Sequence, residues 1–438
     1  MKRSSPSMKF CLLEKRALVP IICSIFALVA LGVNLTNPRT KAAAASGDYW
    51  LKSFQTGTDP NPALNTPDQF NWQLFVQISQ AAPTQSKVGP KNVATNNVLW
   101  ETWANDPDTF PSAPDPSKCN GSNPNPANCP VWPGTTTAVK KVLRPSTQQL
   151  FRQQQRELRL SSQREVQKLQ GRRITVAAPQ ISAGGNEEVR RNRSSFDFIV
   201  TNALWYTQGL KAAFEKGLPL SFPIDAIEIK ARWTPLTNCQ NTTYHCNYDD
   251  NGNAFGLTAL HIMSKAVPNW TWATWEYVGN PGRCDYIGCK DAFGMLPQYQ
   301  NAPPNPQVNQ GYPSPSNQLS PALLQMLGTI GPEWVNYRLK GSQIDFTDAT
   351  GRATLLGNSI TEAGFVQTSS CMTCHAQASV DSTGLFNQTL GFTPGGQSTN
   401  GPLQPSWFYN TSSSPWTVTY FPIDFVWGIF DAQAAPGP

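Results

Sequence analysis

The densest chemistry in the chain is the run Cys371-Met372-Thr373-Cys374-His375. Two thiols three residues apart fall within one helical turn, the offset that lets them add across the two vinyl groups of a single haem. The adjacent imidazole then falls under the iron as proximal ligand. With 10 Cys and 3 His in 438 residues, the pattern should arise by chance about 0.002 times. Two other chemistries use such thiols. A zinc site needs further ligands at matching spacing, and none lies nearby. A redox dithiol usually follows a βαβ pattern, and the flanking sequence has none. The expectation is therefore one covalent haem c, attached through Cys371 and Cys374, with His375 on the iron.

The second axial ligand has to come from elsewhere. The 63 residues after His375 contain no His, Met or Lys. That leaves His245, His261, Met263, Met295 and Met326, because Met372 is tied up inside the motif. His261 is the first choice: it falls on an expected strand, Leu257–Met263, where the period of two places Met263 on the same face. His245 lies within the short Cys239–Cys246 loop, which would have to fold over the haem. Met295 and Met326 fit better as core fillers. Bis-His ligation lowers a haem potential, Met/His raises it, and an open iron permits small-ligand chemistry.

The elements that must position these residues can be read in part. Ile227-Glu228-Ile229-Lys230-Ala231-Arg232-Trp233 alternates apolar and charged residues, the signature of a half-buried strand. Leu257–Met263 and Trp270–Val278 read as further strands, Tyr337–Phe346 as another strand or a hairpin, and Phe196–Lys216 as a helix. Near-helical aromatic spacing recurs at Phe70–Val76 and Val98–Trp103, ahead of a Pro/Asn/Gly-rich loop from Pro111 to Pro133. The expected class is α+β: an antiparallel sheet with peripheral helices and many loops, the last consistent with 38 Pro and 31 Gly. Four segments are expected: a signal peptide at 1–45, a helical and loop region at 46–139, a basic Gln/Arg-rich connector at 140–193, and a sheet-containing haem domain at 194–438.

The amino terminus carries an address. Lys2, Arg3, Lys9, Lys15 and Arg16 precede an apolar run from Ala17 to Val33, and Ala42–Ala45 then offers small residues for cleavage. An uncleaved anchor is the alternative, and the only membrane association expected. Cysteine usage agrees with export to a periplasm or thylakoid lumen. With Cys11 and Cys23 in the signal region, Cys119/Cys129, Cys239/Cys246 and Cys284/Cys289 form three close pairs suited to disulfides, and only the two motif cysteines remain.

The formal charge of +6 is unevenly spread. Residues 1–45 hold seven basic residues against Glu14, and residues 140–193 hold thirteen against four acids, so the remainder is acidic. No nucleic-acid partner is expected from that distribution. Within the 140–193 stretch, Gln149–Gln170 reads as a solvated helix or a partly disordered connector, and the segment as a surface insertion or a docking surface for an acidic partner.

Several stretches resemble a little-characterised group of exported bacterial monohaem cytochrome c family proteins. They are Leu356-Gly357-Asn358-Ser359 through Ala376, Leu260-His261-Ile262 with Pro268-Asn269-Trp270 and Trp272-Ala273-Thr274, Phe222-Pro223, Ile229–Trp233 and Asp424-Phe425-Val426-Trp427. The resemblance covers most of residues 194–438, with weaker echoes near Trp72 and Trp100–Trp103. It implies an exported haem protein and brings no substrate. Relatives often carry a His after the Glu of the aromatic strand, where this chain has Glu276-Tyr277, a difference that favours His261.

The function expected is electron transfer to or from redox partner proteins. One alternative is a haem-dependent oxidoreductase whose aromatic sheet binds substrate. Another is a haem-based sensor or binding module using the basic segment. No G-x-S-x-G, H-E-x-x-H, phosphate-binding glycine loop or flavin fingerprint is present to support a separate catalytic centre.

Overall fold

The computed structural model describes residues 61–83, 85–133, 141–144, 186–304, 316–363, 365–385 and 399–436. The expected signal peptide, with Cys11 and Cys23, lies outside the described residues, as does most of the basic connector. Ala45–Pro438 form one compact unit.

An antiparallel sheet organises that unit, so the class is α+β. Its strands are β1 (Ala104–Asn105), β2 (Glu187–Arg191), β3 (Ile227–Leu236), β4 (Cys246–Tyr248), β5 (Ala254–Ser264), β6 (Thr271–Tyr277) and β7 (Tyr337–Gln343). They run in the order β7-β6-β5-β3-β2-β1, with β4 pairing to β5. The helices used below are α1 (Pro67–Ile78), α2 (Arg193–Thr201), α3 (Thr207–Lys216), α4 (Pro321–Leu327) and α5 (Cys371–Ala376).

The alternation expected of the strands sorts the two faces. Ile227, Ile229, Ala231 and Trp233 of β3 join Leu260 and Ile262 of β5, Ala273 and Trp275 of β6 and Leu339 of β7 in one apolar core. Helix α1 covers this face. Phe75 stacks on Trp275 at 5.0 Å, and Trp72 meets the same indole edge-on at 5.7 Å. Such pairs add roughly 0.5–1.5 kcal/mol beyond their area burial.

The opposite face carries Lys230, His261 and Thr274, which sit directly across from one another. At one end of it Met263 and Trp272 join Met372, Val380, Phe421, Ile423 and Val426 in a second core. The motif helix and the segment after it therefore form a layer on this polar face. The sheet lies between the two layers.

Two expectations need correction. Phe196–Lys216 is not one helix: α2 and α3 are separated by Asn202–Tyr206, with Ala203 at φ +58°. Leu204 and Trp205 turn into the second core, and Tyr206 bridges to Gln433. This tertiary burial overrides helix propensity. Gly209 is required at the start of α3, since a Cβ there would lie 1.8 Å from the Ala203 carbonyl oxygen.

The second correction concerns the basic connector at 140–193, whose described ends are built into the fold. Glu187–Arg191 is a fully buried strand between β1 and β3. Its charges are tolerated because each is paired. Glu187 meets Lys230 at 3.2 Å, Glu188 meets Arg190 at 2.6 Å and Lys141 at 3.0 Å, and Arg191 meets Asp106 at 2.7 Å. Arg144 also joins Asp106 and Asp431, at 3.0 and 3.1 Å.

The cysteines pair as expected. Cys119–Cys129, Cys239–Cys246 and Cys284–Cys289 are disulfides, and Cys371 and Cys374 are the free cysteines among the described residues. Among these residues no helix is long and apolar enough to cross a membrane.

Candidate functional site

The motif folds into α5. Ser370 caps it by accepting from the Thr373 amide at 3.2 Å. Gln343, at the end of β7, ties this cap to the sheet: its Nε2 donates to Ser370 Oγ at 2.7 Å, and its Oε1 accepts from the Met372 amide at 3.0 Å. Trp427 Nε1 donates to the Cys374 carbonyl at 3.0 Å. The i, i+3, i+4 spacing puts Cys371, Cys374 and His375 on one side of the turn. Met372 points the other way and is buried in the second core, as expected of a residue inside the motif.

His375 has one nitrogen committed. Its Nδ1 lies 2.9 Å from the Phe425 carbonyl oxygen. A carbonyl only accepts, so Nδ1 carries the proton and Nε2 keeps its lone pair. Trp272 packs against the ring with centroids 4.6 Å apart. The Phe425 carbonyl is itself held by an unusual backbone, because Asp424 and Phe425 both have positive φ, +48° and +71°. Non-glycine residues in that region cost on the order of 1 kcal/mol or more each, so the surroundings must hold them there.

His261 comes to the same place from the sheet. Its Nε2 is buried without a hydrogen-bond partner, 3.7 Å from Glu362 Oε2, which is too long for a hydrogen bond. Glu362 is positioned by the segment before α5. It accepts from the Asn358 amide at 2.6 Å, and the Asn358 side chain donates to Thr274 Oγ1 at 3.0 Å on β6.

The charges of this group act on one another. Burial is the largest cause holding His375 down at about 3, with the Phe425 carbonyl opposing it and repulsion from Lys230 and His261 adding to it. Burial, then Lys230, likewise holds His261 at about 3, against Glu187 and Glu276. Both imidazoles are therefore neutral at pH 7. Burial raises Glu362 to about 7 despite Lys230. Burial and then Glu362 push the Cys371 thiol well above its ordinary range and the Cys374 thiol up to about 12. Attacking thiolates in redox dithiols are tuned in the opposite direction. These are protonated thiols beside a neutral imidazole with a free lone pair.

The structure separates the distal candidates. His261 shares the site with His375. His245 does not: it lies under the opposite face, stacked on Trp334 at 4.6 Å with its Nε2 3.1 Å from Glu101 Oε2. Met295 and Met326 pack against the first core, also on that face. Met263 is buried with Trp272 and Met372. Tyr277 also packs toward the first core, so a His at this position would face away from α5.

Lys230, Trp272, Glu362 and Phe425 were not singled out as site residues by sequence reasoning. Lys230 could have been, since it alternates with core residues on β3. Glu362 and Phe425 lie in stretches noted only for their resemblance, and tertiary packing brings them here. Among the described residues no group of three or more His, Cys, Asp or Glu side chains is arranged to hold a bare metal ion. No family model, curated protein or solved structure matches the chain, so the functional reading rests on the site itself.

Proposed function

We propose that this chain is an exported monohaem c-type cytochrome that passes electrons to or from redox partner proteins. The observation that carries the reading is the arrangement on α5. Three disulfides consume the other described cysteines, and the two left over lie one turn apart beside a histidine whose Nδ1 is engaged and whose Nε2 is free. Cys371 and Cys374 would hold the haem through thioether bonds, and His375 would bind its iron from the proximal side. The haem, when bound, supplies a one-electron redox centre. The Phe425 carbonyl fixes the tautomer and orientation of His375 and raises its basicity. His261 would supply a second side-chain nitrogen to the haem iron, since its Nε2 is neutral, buried and without a hydrogen-bond partner. Three disulfides are compatible with a periplasm or thylakoid lumen.

A second reading has a specific observation in its favour. Glu362 stands beside His261 Nε2, with Lys230 acting on both. If His261 stays off the iron, this polar group suits a haem-dependent oxidoreductase with a proton donor at hand.

Optical and EPR spectra of the oxidised holoprotein separate the two. Electron transfer with His261 ligation predicts a low-spin, six-coordinate haem that turns high-spin in His261→Ala. An unchanged low-spin spectrum in the variant would remove His261 from the iron. A high-spin wild type would favour the oxidoreductase.

A further inference from the structure

The strained pair Asp424-Phe425 presents the carbonyl that His375 uses, and an ion pair far from the motif in sequence holds it in place. Lys265, just past the end of β5, donates to Asp424 Oδ1 at 2.7 Å and to the Pro268 carbonyl at 2.7 Å. Both partners are buried, Lys265 at 6 % and Asp424 at 7 % side-chain exposure. Asp424 Oδ2 accepts from the Phe222 amide at 2.7 Å, and the Asp424 carbonyl accepts from Trp270 Nε1 at 3.1 Å. Three groups thus grip Asp424 from three segments. That residue is followed directly by Phe425, whose oxygen meets His375 Nδ1. A buried ion pair gains little stability over an apolar replacement and is often kept for the geometry it enforces.

We infer that Asp424 and Lys265 are positioning residues for the proximal histidine: they lock Phe425 in its left-handed conformation so that its carbonyl holds His375 Nδ1–H. The inference rests on the haem reading for its redox consequence but not for the hydrogen bond itself. A firmly held Nδ1–H makes the imidazole a stronger donor to iron, stabilises the ferric state and lowers the potential. Releasing the clamp raises the potential.

The test uses the full chain with Asp424→Ala, Asp424→Asn and Lys265→Met, and reads two quantities. One is the midpoint potential of the holoprotein. The other is the exchange rate of the His375 Nδ1 proton by NMR, measurable with or without haem. Asp424→Ala is expected to retain one haem per chain, shift the potential upward and speed Nδ1 proton exchange by about tenfold or more, the scale on which loss of an outer-shell partner acts on metal affinity. Lys265→Met keeps the Phe222 and Trp270 contacts and is expected to shift both readouts the same way by less. Asp424→Asn keeps an acceptor for Phe222 and tolerates positive φ, but it turns an amide NH2 toward the Lys265 ammonium, so it should shift both readouts about as far as Lys265→Met. Should Asp424→Ala fail to fold, Lys265→Met carries the test alone. Unchanged potential and exchange in a haem-bearing Asp424→Ala or Lys265→Met chain would overturn the inference. A wild type without covalent haem would instead overturn the haem reading, and the exchange rate would still decide the clamp.

Discussion

Replacing Cys371 and Cys374 together by serine is expected to take covalent haem from one per chain to none, read as haem retained on the polypeptide after denaturation. The thioether bonds have no other source among the described residues, because the remaining cysteines there are in disulfides. The fold should survive. The Cys371 thiol makes only a weak contact with the Leu356 carbonyl at 3.4 Å, and α5 is held by Ser370, Gln343 and Trp427 rather than by sulfur. Either single serine variant should keep the haem through one thioether while its optical spectrum changes, since one vinyl group is left unreacted. A double variant that still carries covalent haem would place the attachment elsewhere.

The second large effect concerns stability and lies on the opposite face of the sheet. Glu101 is buried, and each of its carboxylate oxygens has two donors. Lys141 and Asn247 reach Oε1 at 2.9 and 2.8 Å, while the Val98 amide and His245 Nε2 reach Oε2 at 2.9 and 3.1 Å. Burial alone would raise this carboxyl, but Lys141 and His245 outweigh it and hold it far below the usual range. Burial would likewise lower His245, and Glu101 raises it instead. Glu101→Gln removes the charge and leaves the cations buried, so the expected loss is about 3–5 kcal/mol, checked by denaturant unfolding.

The loss should depend on pH with a definite sign. A lowered carboxylate contributes fully above its unfolded value of 4.5 and fades as pH falls through its folded value. A raised histidine contributes fully below 6.5 and fades as pH rises through its folded value. The gap between wild type and variant should therefore be widest between about pH 4.5 and 6.5 and narrow on either side. A gap that stays level from pH 6.5 into alkaline conditions would show that His245 is not coupled to Glu101.

What could be read in the sequence divides along a physical line. Local periodicity placed β3, β5, β6 and β7, because a half-buried strand must alternate and Ile227–Trp233 does so plainly. Short spacing placed the three disulfides and the turn of α5, where a few residues determine the geometry. Glu187–Arg191 was hidden because its charges resemble a solvated run until Asp106, Lys141 and Lys230 arrive from distant segments to pair with them. The break between α2 and α3 was hidden for a similar reason: Leu204 and Trp205 follow the second core rather than the helical repeat. His261 could be proposed from its strand and its scarcity. Glu362 and the Asp424-Phe425 clamp could not, since only tertiary packing brings them against His261 and His375.

One measurement bears most directly on the central claim: the intact mass, under denaturing conditions, of the wild-type chain produced with a c-type haem maturation system. The expected result is a gain of one haem per chain, retained on the peptide that contains Cys371 and Cys374. A chain that returns to its polypeptide mass on denaturation would contradict it.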